Sequence, residues 1–493
     1  MYLGIDIGTT VLKAALFDAR SGRLVAQAGH RLTMEVDATG KREQDPAALL
    51  GALRSVGANL RRQTGQRWRK VAGIGFAAQG GSVIIVNRDT GVAATPMFLW
   101  NDTRALAHYH KISAMHPPSW WRAFSLRDEP GMGLARALWL REQRPELLDG
   151  NPLCVGAGEF AGYHLTGEWR QDACHALQSG CYDARRNKLT DRSLSELGLS
   201  ASYVAPLRQG HATTPLNSNG ARLLQLPVGI PVAGPYNDHE AGYLSIRHVS
   251  SQPLECSLGT AWVGNFTLPV GLAGRSPFQL IVPAPDGRGR QVIMPLLTGN
   301  VTWDWALENF AHSNHRIALE RMARVFAARA LPAPGLVALP WLNRPNALRP
   351  SLNGSAAFFG LGPATNREDL LRAVACGMAF EFARVFAPVA RGALDSLVLC
   401  GGASRAAHFQ ALFATLFSPL PVYKITESDL MAARGSLFAF ESRAIAAPVR
   451  RVRAPAKFDT EAMVDAQALY QETFDQMYGH VAAGKPYEIM REK

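Results

Sequence analysis

The chain has 493 residues, 47% hydrophobic and 19% charged, a composition typical of a globular protein with two or more domains. Its six cysteines form no Cys-x-x-Cys pair, which argues against structural zinc and favours reduced thiols in a cytoplasm. The formal charge of +12 suits anionic ligands, but the basic residues are spread out and no DNA-binding pattern accompanies them, so we expect no nucleic-acid partner. We also expect no signal peptide, because the first predicted strand begins at residue 2, and no membrane association, because no apolar run approaches the roughly 20 residues of a span.

The first predicted element is a hairpin whose apolar runs, residues 2–7 and 11–17, flank a Gly8-Thr9-Thr10 corner. Glycine lets a backbone approach a phosphate closely, and the corner exposes N–H groups and hydroxyls. Asp6 precedes the corner, where a carboxylate can hold hydrated Mg²⁺, and Lys13 adds a positive charge. The pattern predicts a phosphate site, although the same residues are also ordinary hairpin-turn chemistry.

The elements between this hairpin and the middle of the chain indicate an α/β protein. Strands are predicted at 24–32, 71–76 and 83–86, and a helix from Asp45-Pro46 to about Thr64. Residues 108–208 are mixed, with a helical pattern at 133–143, and are typical of an insertion. A strand at 231–234 then leads to Asp238.

The second half repeats the first hairpin. Residues 254–264 contain Gly259-Thr260 between apolar runs, with Ser257 where Asp6 stood, so only the first half would carry a metal. Residues 396–404 then predict a strand and a Gly401-Gly402 turn before an apolar helix at 409–416, a pattern that presents backbone to a ligand. Two related halves with a nucleotide between them follow from this duplication.

Two more helices and a loop complete the second half. Asn366 and Asp369 predict a capping box, followed by a core-facing stripe up to Val385. A docked terminal helix is predicted from a stripe of Met463, Tyr470, Phe474 and Met477. Residues 340–350 are the best loop candidate.

In this order the motifs resemble the FGGY family of carbohydrate kinases, of the actin-like ATPase fold. The resemblance rests on the first hairpin, Trp100-Asn101-Asp102, Asn237-Asp238-His239, residues 257–260 and residues 401–404. It implies an α/β fold of two ribonuclease-H-like domains with an interdomain cleft. Residues 1–245 would bind sugar, Mg²⁺ and phosphates, and residues 246–493 would bind ATP. The sequence itself gives no direct evidence on oligomeric state, and a homodimer is expected only from the resemblance.

The resemblance also implies roles for single residues. Asp238 would be the general base, although without its flanking motifs it is better explained as the cap of a helix that starts at Glu240. Asp6 would orient Mg²⁺. The phosphates would contact Thr9, Thr10, Lys13, Gly259 and Thr260, unless Lys13 is only a solvated strand residue. Adenosine would border Gly401, Gly402 and Ser404. Asn300 and Asp304, in a predicted turn before a helix at Trp305, match positions that line the nucleotide site in relatives.

The acceptor is a small molecule whose expected contacts are Gln79, Trp100, Asn101, Asp102 and His239. Two alternatives remain open, a core role for Trp100 and a loop ion pair between Asp102 and Arg104. Glycerol kinases carry Arg-Glu where this chain has Gly80-Gly81, which leaves room for a longer acceptor.

Xylulose kinases differ at Gln79, at His239 and in the loop at 343–346. We therefore expect an open-chain ketose, deoxyketose or polyol of about four to six carbons. The rival hypotheses are an actin-like ATPase without a small acceptor and a sugar-binding regulatory protein without kinase activity.

Overall fold

The computed structural model describes residues 1–208, 211–269, 271–275, 279–296, 298–342, 356–440, 443–454, 459–478 and 488–491. It divides into two compact units. Unit 1 comprises Met1–Ile246, Leu280–Gln291 and Asp429–Ala447, and unit 2 comprises Arg247–Gln279, Val292–Ser428 and Pro448–Lys493.

The strands up to residue 246 are β1 (Tyr2–Ile7), β2 (Val11–Phe17), β3 (Leu24–Arg31), β4 (Glu35–Val36), β5 (Arg42–Gln44), β6 (Gly73–Ala78), β7 (Ile84–Asn87), β8 (Met97–Phe98), β9 (Pro152–Val155), β10 (Tyr182–Asp183), β11 (Lys188–Leu189), β12 (Thr214–Pro215) and β13 (Pro231–Asn237). The α-helices there are α1 (Pro46–Thr64), α2 (Leu106–Met115), α3 (Pro118–Ser125), α4 (Met132–Gln143), α5 (Ala157–Thr166), α6 (Ala173–Gln178), α7 (Ser218–Leu224) and α8 (Asp238–Ile246).

The later strands are β14 (Pro253–Leu258), β15 (Trp262–Leu268), β16 (Leu272–Arg275), β17 (Leu280–Pro283), β18 (Arg290–Pro295), β19 (Val337–Leu339), β20 (Ala357–Phe359), β21 (Ser396–Cys400), β22 (Val422–Ile425), β23 (Val449–Val452) and β24 (Glu488–Arg491). The later α-helices are α9 (Asn300–Ala306), α10 (His315–Ala328), α11 (Arg367–Ala393), α12 (Ala407–Leu416), α13 (Met431–Gly435) and α14 (Thr460–Tyr478).

The main sheet of unit 1 has the strand order β12-β13-β6-β1-β2-β3. Strand β1 is antiparallel to β2 and parallel to β6, which is in turn parallel to β13. Strands β1 and β6 are almost wholly apolar and buried, as expected for strands covered on both faces. The predicted opening hairpin is confirmed.

Helix α1 covers one face of this sheet. Its predicted bounds are confirmed, because Asp45 accepts a hydrogen bond from the Ala47 amide and Pro46 fixes the first turn. Its buried side chains recur at helical spacing and include Leu49, Leu53, Val56 and Leu60. The helix is thus specified by local sequence.

Helix α13 packs against β1 and α8, and in both contacts a glycine allows the close approach. A Cβ added to Gly4 of β1 would lie 2.0 Å from the Ala433 carbonyl oxygen. A Cβ added to Gly435 would lie 1.6 Å from the Ala241 carbonyl oxygen of α8. Any larger residue at Gly4 or Gly435 would therefore push α13 away from β1 or from α8.

Unit 2 contains a sheet in which β15, β14, β21, β22 and β23 are successive neighbours. Strand β14 is antiparallel to β15 and parallel to β21, and Ser257 pairs with Cys400 at the ends of the parallel pair. The predicted second hairpin and the strand before Gly401 are therefore confirmed.

The long helices of unit 2 follow their predicted caps and stripes with one exception. Asn366 and Asp369 form the expected capping box of α11. The segment Arg367–Ala390 is long and apolar enough to cross a bilayer by composition, but 94% of its apolar 18-residue window is buried, which is typical of a core helix. In α14 three of the predicted stripe residues are buried, whereas Met477 is 40% exposed, so its predicted core position is wrong.

Candidate active site

Three parallel strands of unit 1 end at one edge of the sheet. Ile7 of β1 pairs with Ala78 of β6, and Ala78 pairs with Asn237 of β13. The Gln79 amide continues this alignment by donating to the Ile7 carbonyl at 2.9 Å. The carboxyl ends of parallel strands are the usual ligand-binding edge of such sheets. The Gly8-Thr9-Thr10 corner, which we call the predicted phosphate turn, therefore shares one edge with Gln79 and Asp238, although the three are far apart in sequence.

Asp6 lies in a charged environment at this edge. It is opposite Lys13 in the register of β1 and β2, and the Lys13 Nζ lies 4.0 Å from Asp429 Oδ1. Burial raises the pKa of Asp6 to about 7, with a further contribution from the charge of Asp238, while Lys13 and His239 act in the opposite direction. The carboxylates of Asp6 and Asp238 are thus close enough to repel each other. A cation at this position would relieve that repulsion.

Asp238 is the first residue of α8. The helix therefore begins two residues before Glu240, the start that the capping alternative assumed. The Asn237 side chain accepts from the His239 amide at 3.0 Å, and Asp238 Oδ1 accepts from the same amide at 2.9 Å. Among the described residues, Asp238 Oδ2 accepts no hydrogen bond. The β-bulge between Ala233 and Tyr236 precedes this strand end. One oxygen of the partly buried carboxylate is therefore free to accept a proton.

The Thr9 hydroxyl connects the phosphate turn to the predicted sugar contacts. It donates to Gln79 Oε1 at 2.7 Å and accepts from the Trp100 indole N–H at 3.2 Å. Trp100 is 36% exposed, so the alternative in which it is a core residue is wrong. Thr10 is exposed, and the Thr9 carbonyl accepts from Gln44 Nε2 at 2.6 Å. A change at the phosphate turn would therefore reach Gln79 and Trp100 directly.

Asp102 forms the loop ion pair with Arg104 that the sequence left open as an alternative to a sugar contact. Its carboxylate is buried, accepts from the Arg42 amide at 2.9 Å and binds the Arg104 guanidinium with contacts of 2.6 and 3.1 Å. Arg104 also contacts Glu43 at 2.6 Å. The other carboxylate oxygen of Asp102, Oδ1, accepts from the Arg104 backbone amide and from its Nε, both at 3.1 Å, so both oxygens have partners within the protein. We therefore correct its predicted role from sugar contact to positioning of the Trp100-Asn101 loop.

Arg136 of α4 holds the same loop and was not predicted from sequence. It is 2% exposed and donates to the carbonyl oxygens of Gly81, Leu99 and Trp100 at 2.5, 2.8 and 2.8 Å. Burial lowers its pKa to about 10, so the guanidinium stays charged at neutral pH. The signal in the sequence was a single arginine within the apolar face of a helix, since such a charge is rarely buried without partners.

The predicted nucleotide residues of unit 2 gather around its own hairpin turn. The Asn300 amide donates to the Gly259 carbonyl at 3.1 Å, and the Trp262 indole donates to Asn300 Oδ1 at 3.1 Å. Gly401 has φ of +80°, and a Cβ there would lie 2.8 Å from the Gly259 amide nitrogen. A Cβ on Gly402 would lie 3.2 Å from Asn300 Nδ2. Glycine is therefore required at position 401, where the backbone of the two segments meets.

One detail of the nucleotide prediction is wrong, and the structure adds the surroundings of three of its residues. Asn300 and Asp304 lie in helix α9 itself and not in a turn before it, because the helix begins at Asn300. Four residues apart, they share a helix face, and Asp304 is exposed. Ser404 is buried and donates to the Gly401 carbonyl at 2.7 Å, so its hydroxyl stabilises the glycine turn. Thr260 is exposed beside this turn.

Two family models match most of the chain. The N-terminal domain model of the FGGY family of carbohydrate kinases matches residues 1–245, and its C-terminal domain model matches residues 296–439. The chain belongs to the FGGY family of carbohydrate kinases. It is therefore a phosphotransferase with an alcohol acceptor, and members of this family use ATP.

The relatives of this FGGY kinase cover almost its whole length at low identity. A xylulose kinase from Klebsiella pneumoniae is 25% identical over 446 residues, 88% of each chain. A gluconokinase from Bacillus subtilis is 22% identical over 460 residues, 87% of this chain and 86% of the relative. The crystal structure of a xylulose kinase from Rhodospirillum rubrum superposes with a TM-score of 0.83 at 21% identity, covering 97% and 98% of the two chains. The predicted actin-like ATPase fold is confirmed.

Some predicted features stay predictions. Residues 343–350 of the predicted loop, which include the segment compared with xylulose kinases, lie outside the described residues. The assignment of sugar binding to residues 1–245 and of ATP binding to residues 246–493 also stays a prediction. The six cysteines are free and buried, as expected.

Proposed function

We propose that this FGGY kinase transfers the γ-phosphoryl group of ATP to a hydroxyl of an open-chain ketose or polyol, with Asp238 as general base. The acceptor oxygen forms a bond to the γ-phosphorus, the bond from that phosphorus to the ADP oxygen breaks, and Asp238 takes the hydroxyl proton. The observation that carries this proposal is the free Oδ2 of Asp238 at a strand end shared with Gln79 and the phosphate turn.

Asp6 is the residue that we propose to hold Mg²⁺ from the protein side. Among the described residues no group of three or more His, Cys, Asp or Glu side chains could hold a metal ion. One carboxylate is enough for Mg²⁺, which keeps several waters and binds substrate phosphates. The raised pKa of Asp6 supports this assignment, since a divalent cation would stabilise its ionised form. When bound, Mg²⁺ would neutralise charge on the phosphates.

The other phosphate contacts are proposed to come from Lys13 and the backbone of residues 8–10 in unit 1, and from Gly259 and Thr260 in unit 2. Adenosine would lie against Gly401, Gly402, Asn300 and Asp304. The Ser404 hydroxyl is used within the turn and is left out of these contacts. The free buried thiols agree with a reducing compartment, for which we propose the cytoplasm.

The acceptor contacts are proposed to be Gln79, Trp100, Asn101 and His239. Gln79 and Asn101 supply amides for hydroxyl groups, and the exposed Trp100 ring supplies a face for the carbon chain. Among the relatives, xylulose kinases and gluconokinases are named for a ketose and for an aldonic acid, so both classes belong in any acceptor screen.

The test is ADP release on a panel of ketoses, polyols and aldonic acids, with wild-type protein and Asp238→Asn. We expect one neutral acceptor to stimulate turnover, and the variant to lose it by about 10²–10⁴-fold with unchanged ATP affinity in calorimetry. ATP binding without stimulation by any acceptor would favour the actin-like ATPase or the regulatory protein. An active Asp238→Asn would mean that the base is assigned wrongly.

A further inference from the structure

Gln178, the last residue of α6, places its side-chain amide beside the predicted sugar contacts. Its Oε1 lies 2.6 Å, and its Nε2 3.2 Å, from the point that a Cβ on Gly80 would occupy. Asn237 Nδ2 lies 2.6 Å from the same point. A Cβ on Gly81 would meet Gln178 Nε2 at 3.5 Å and the Trp100 Cβ at 3.3 Å. Gln178 is therefore next to the residues that flank Gln79 and Asp238.

This position corrects the sequence interpretation of Gly80-Gly81. The missing side chains were expected to leave room for a longer acceptor. In the structure the Gln178 and Asn237 side chains come within 2.6 Å of the place that a Gly80 side chain would take. Because Gly80 and Gly81 have no side chains, the Gln178 amide can approach the predicted sugar contacts Gln79, Trp100 and Asn101, which we call the acceptor corner.

The backbone of Gln178 is fixed by close packing. A Cβ on Gly131 would lie 2.1 Å from the Gln178 carbonyl oxygen, and one on Gly133 would lie 2.8 Å from the Ser179 Cα. At the other end of α6, Asp172 accepts from the His175 amide at 2.8 Å. The backbone that carries the side-chain amide is therefore held at a defined place, as a specificity-determining group requires.

Three buried amide atoms in this corner have no hydrogen-bond partner among the described residues. They are Gln178 Oε1, Asn101 Oδ1 and Gln79 Nε2. Buried polar atoms are nearly always paired, so an unpaired group in a native protein calls for a ligand or a water. Two of the three are carbonyl oxygens, which accept hydrogen bonds and donate none.

We infer that Gln178 is a specificity-determining residue of the acceptor site, whose Oε1 accepts a hydrogen bond from an acceptor hydroxyl. Gln178 Oε1 and Asn101 Oδ1 each offer an unpaired accepting oxygen, and these oxygens favour neutral polyhydroxy compounds over aldonic acids. A hydroxyl can donate to either oxygen, whereas a carboxylate would bring lone pairs against lone pairs. This inference rests on the proposed function.

The experiment compares Gln178→Met and Gln178→Glu on the best neutral acceptor of the panel and on gluconate. Methionine keeps the length of the side chain and removes the hydrogen bond, so kcat/KM for the neutral acceptor should fall about 10- to 100-fold. Glutamate keeps an accepting oxygen, so that value should stay within about fivefold, while kcat/KM for gluconate falls further. ATP affinity and the unfolding temperature check the fold, and Gln143→Met, at an exposed position of α4, is the matched control.

The outcomes separate the inference from the proposed function. A wild-type protein that phosphorylates no acceptor overturns both. A wild-type protein that prefers gluconate, or a Gln178→Met variant as selective and as active as wild type, overturns the inference and leaves the kinase proposal standing. Loss with methionine and retention with glutamate is the expected result. If Gln178→Met unfolds, the same comparison is made with Gln178→Glu and Gly80→Ala, which should displace the amide and weaken the same selectivity.

Discussion

Replacing Asp6 by Asn should make the protein more stable at neutral pH while removing its activity. The carboxylate has its pKa raised from 3.8 to about 7, first by burial and then by the charge of Asp238. Its folded-state pKa therefore lies above the unfolded value. The stability that Asp6 contributes is complete below about pH 4 and is lost as the pH rises through about 7. Asn has nearly the same shape and does not ionise, so the variant avoids this loss.

The size of the effect follows from the shift. About three pKa units at about 1.4 kcal/mol each set an upper value of about 4 kcal/mol above pH 8. Water reaching the partly buried side chain reduces that value, so we expect about 2–4 kcal/mol. Other buried carboxylates with raised pKa, such as Glu159 and Glu240, cancel because both proteins contain them.

The assay is calorimetric unfolding in EDTA at pH 5.5, 6.5, 7.5 and 8.5, with the first transition compared between Asp6→Asn and wild type. The advantage of the variant should grow by about 1–2 kcal/mol over this range. Asp18→Asn is the control, because its carboxylate accepts from Ser21 and its pKa is lowered, so its difference should not grow in the same direction. An Asp6→Asn variant no more stable than wild type at pH 8.5, or a difference independent of pH, would refute the reasoning.

Three further substitutions test single contacts. Gly435→Ala should destabilise the protein by about 3 kcal/mol or more in denaturant unfolding, because its Cβ would lie 1.6 Å from the Ala241 carbonyl. The control is Gly51→Ala on the open surface of α1, which should be neutral or stabilising. Equal effects of the two substitutions would contradict this prediction. Arg136→Lys replaces a fork by one ammonium, so KM for the acceptor should rise about tenfold with ATP affinity kept, and an unchanged KM would remove Arg136 from loop positioning. Thr9→Val breaks the contacts to Gln79 and Trp100, so KM for the acceptor and for ATP should rise together; a change in the ATP value alone would mean that Thr9 serves only the phosphates.

Local elements of this protein could be predicted from sequence because their signals are local. Helix α1 has its cap, its proline and its apolar period within the helix itself. Helix α9 could not be predicted in this way, since none of its own side chains caps it. Its N-cap position is Gly299, which packs so closely that a Cβ would lie 2.4 Å from the Thr260 carbonyl. That contact belongs to tertiary packing and leaves no mark in the local pattern.

The same distinction explains which site residues were found. Asp6 and Asp238 could be recognised because each belongs to a motif. Their mutual repulsion depends on the pairing of β1, β6 and β13, which the sequence does not specify. Arg136 and Gln178 belong to no motif, because the insertion that carries them is irregular. Arg136 is recognised by the backbone carbonyls to which it donates, and Gln178 by the glycines that it approaches, and only coordinates give those distances.

The strand ends of unit 1 combine groups that are unfavourable in the free protein. Asp6 is partly buried near Asp238, and the amides of Gln79, Asn101 and Gln178 each keep an unpaired buried atom. Each of these groups lowers the free energy of unfolding. The sheet needs none of them, because its apolar strands and the capped helix α1 already agree with the fold. A cation beside Asp6 and hydroxyl groups beside the amides would satisfy all of them at once. The destabilising groups therefore support the proposed acceptor site independently of any motif, and they explain why a variant such as Asp6→Asn should gain stability where it loses activity.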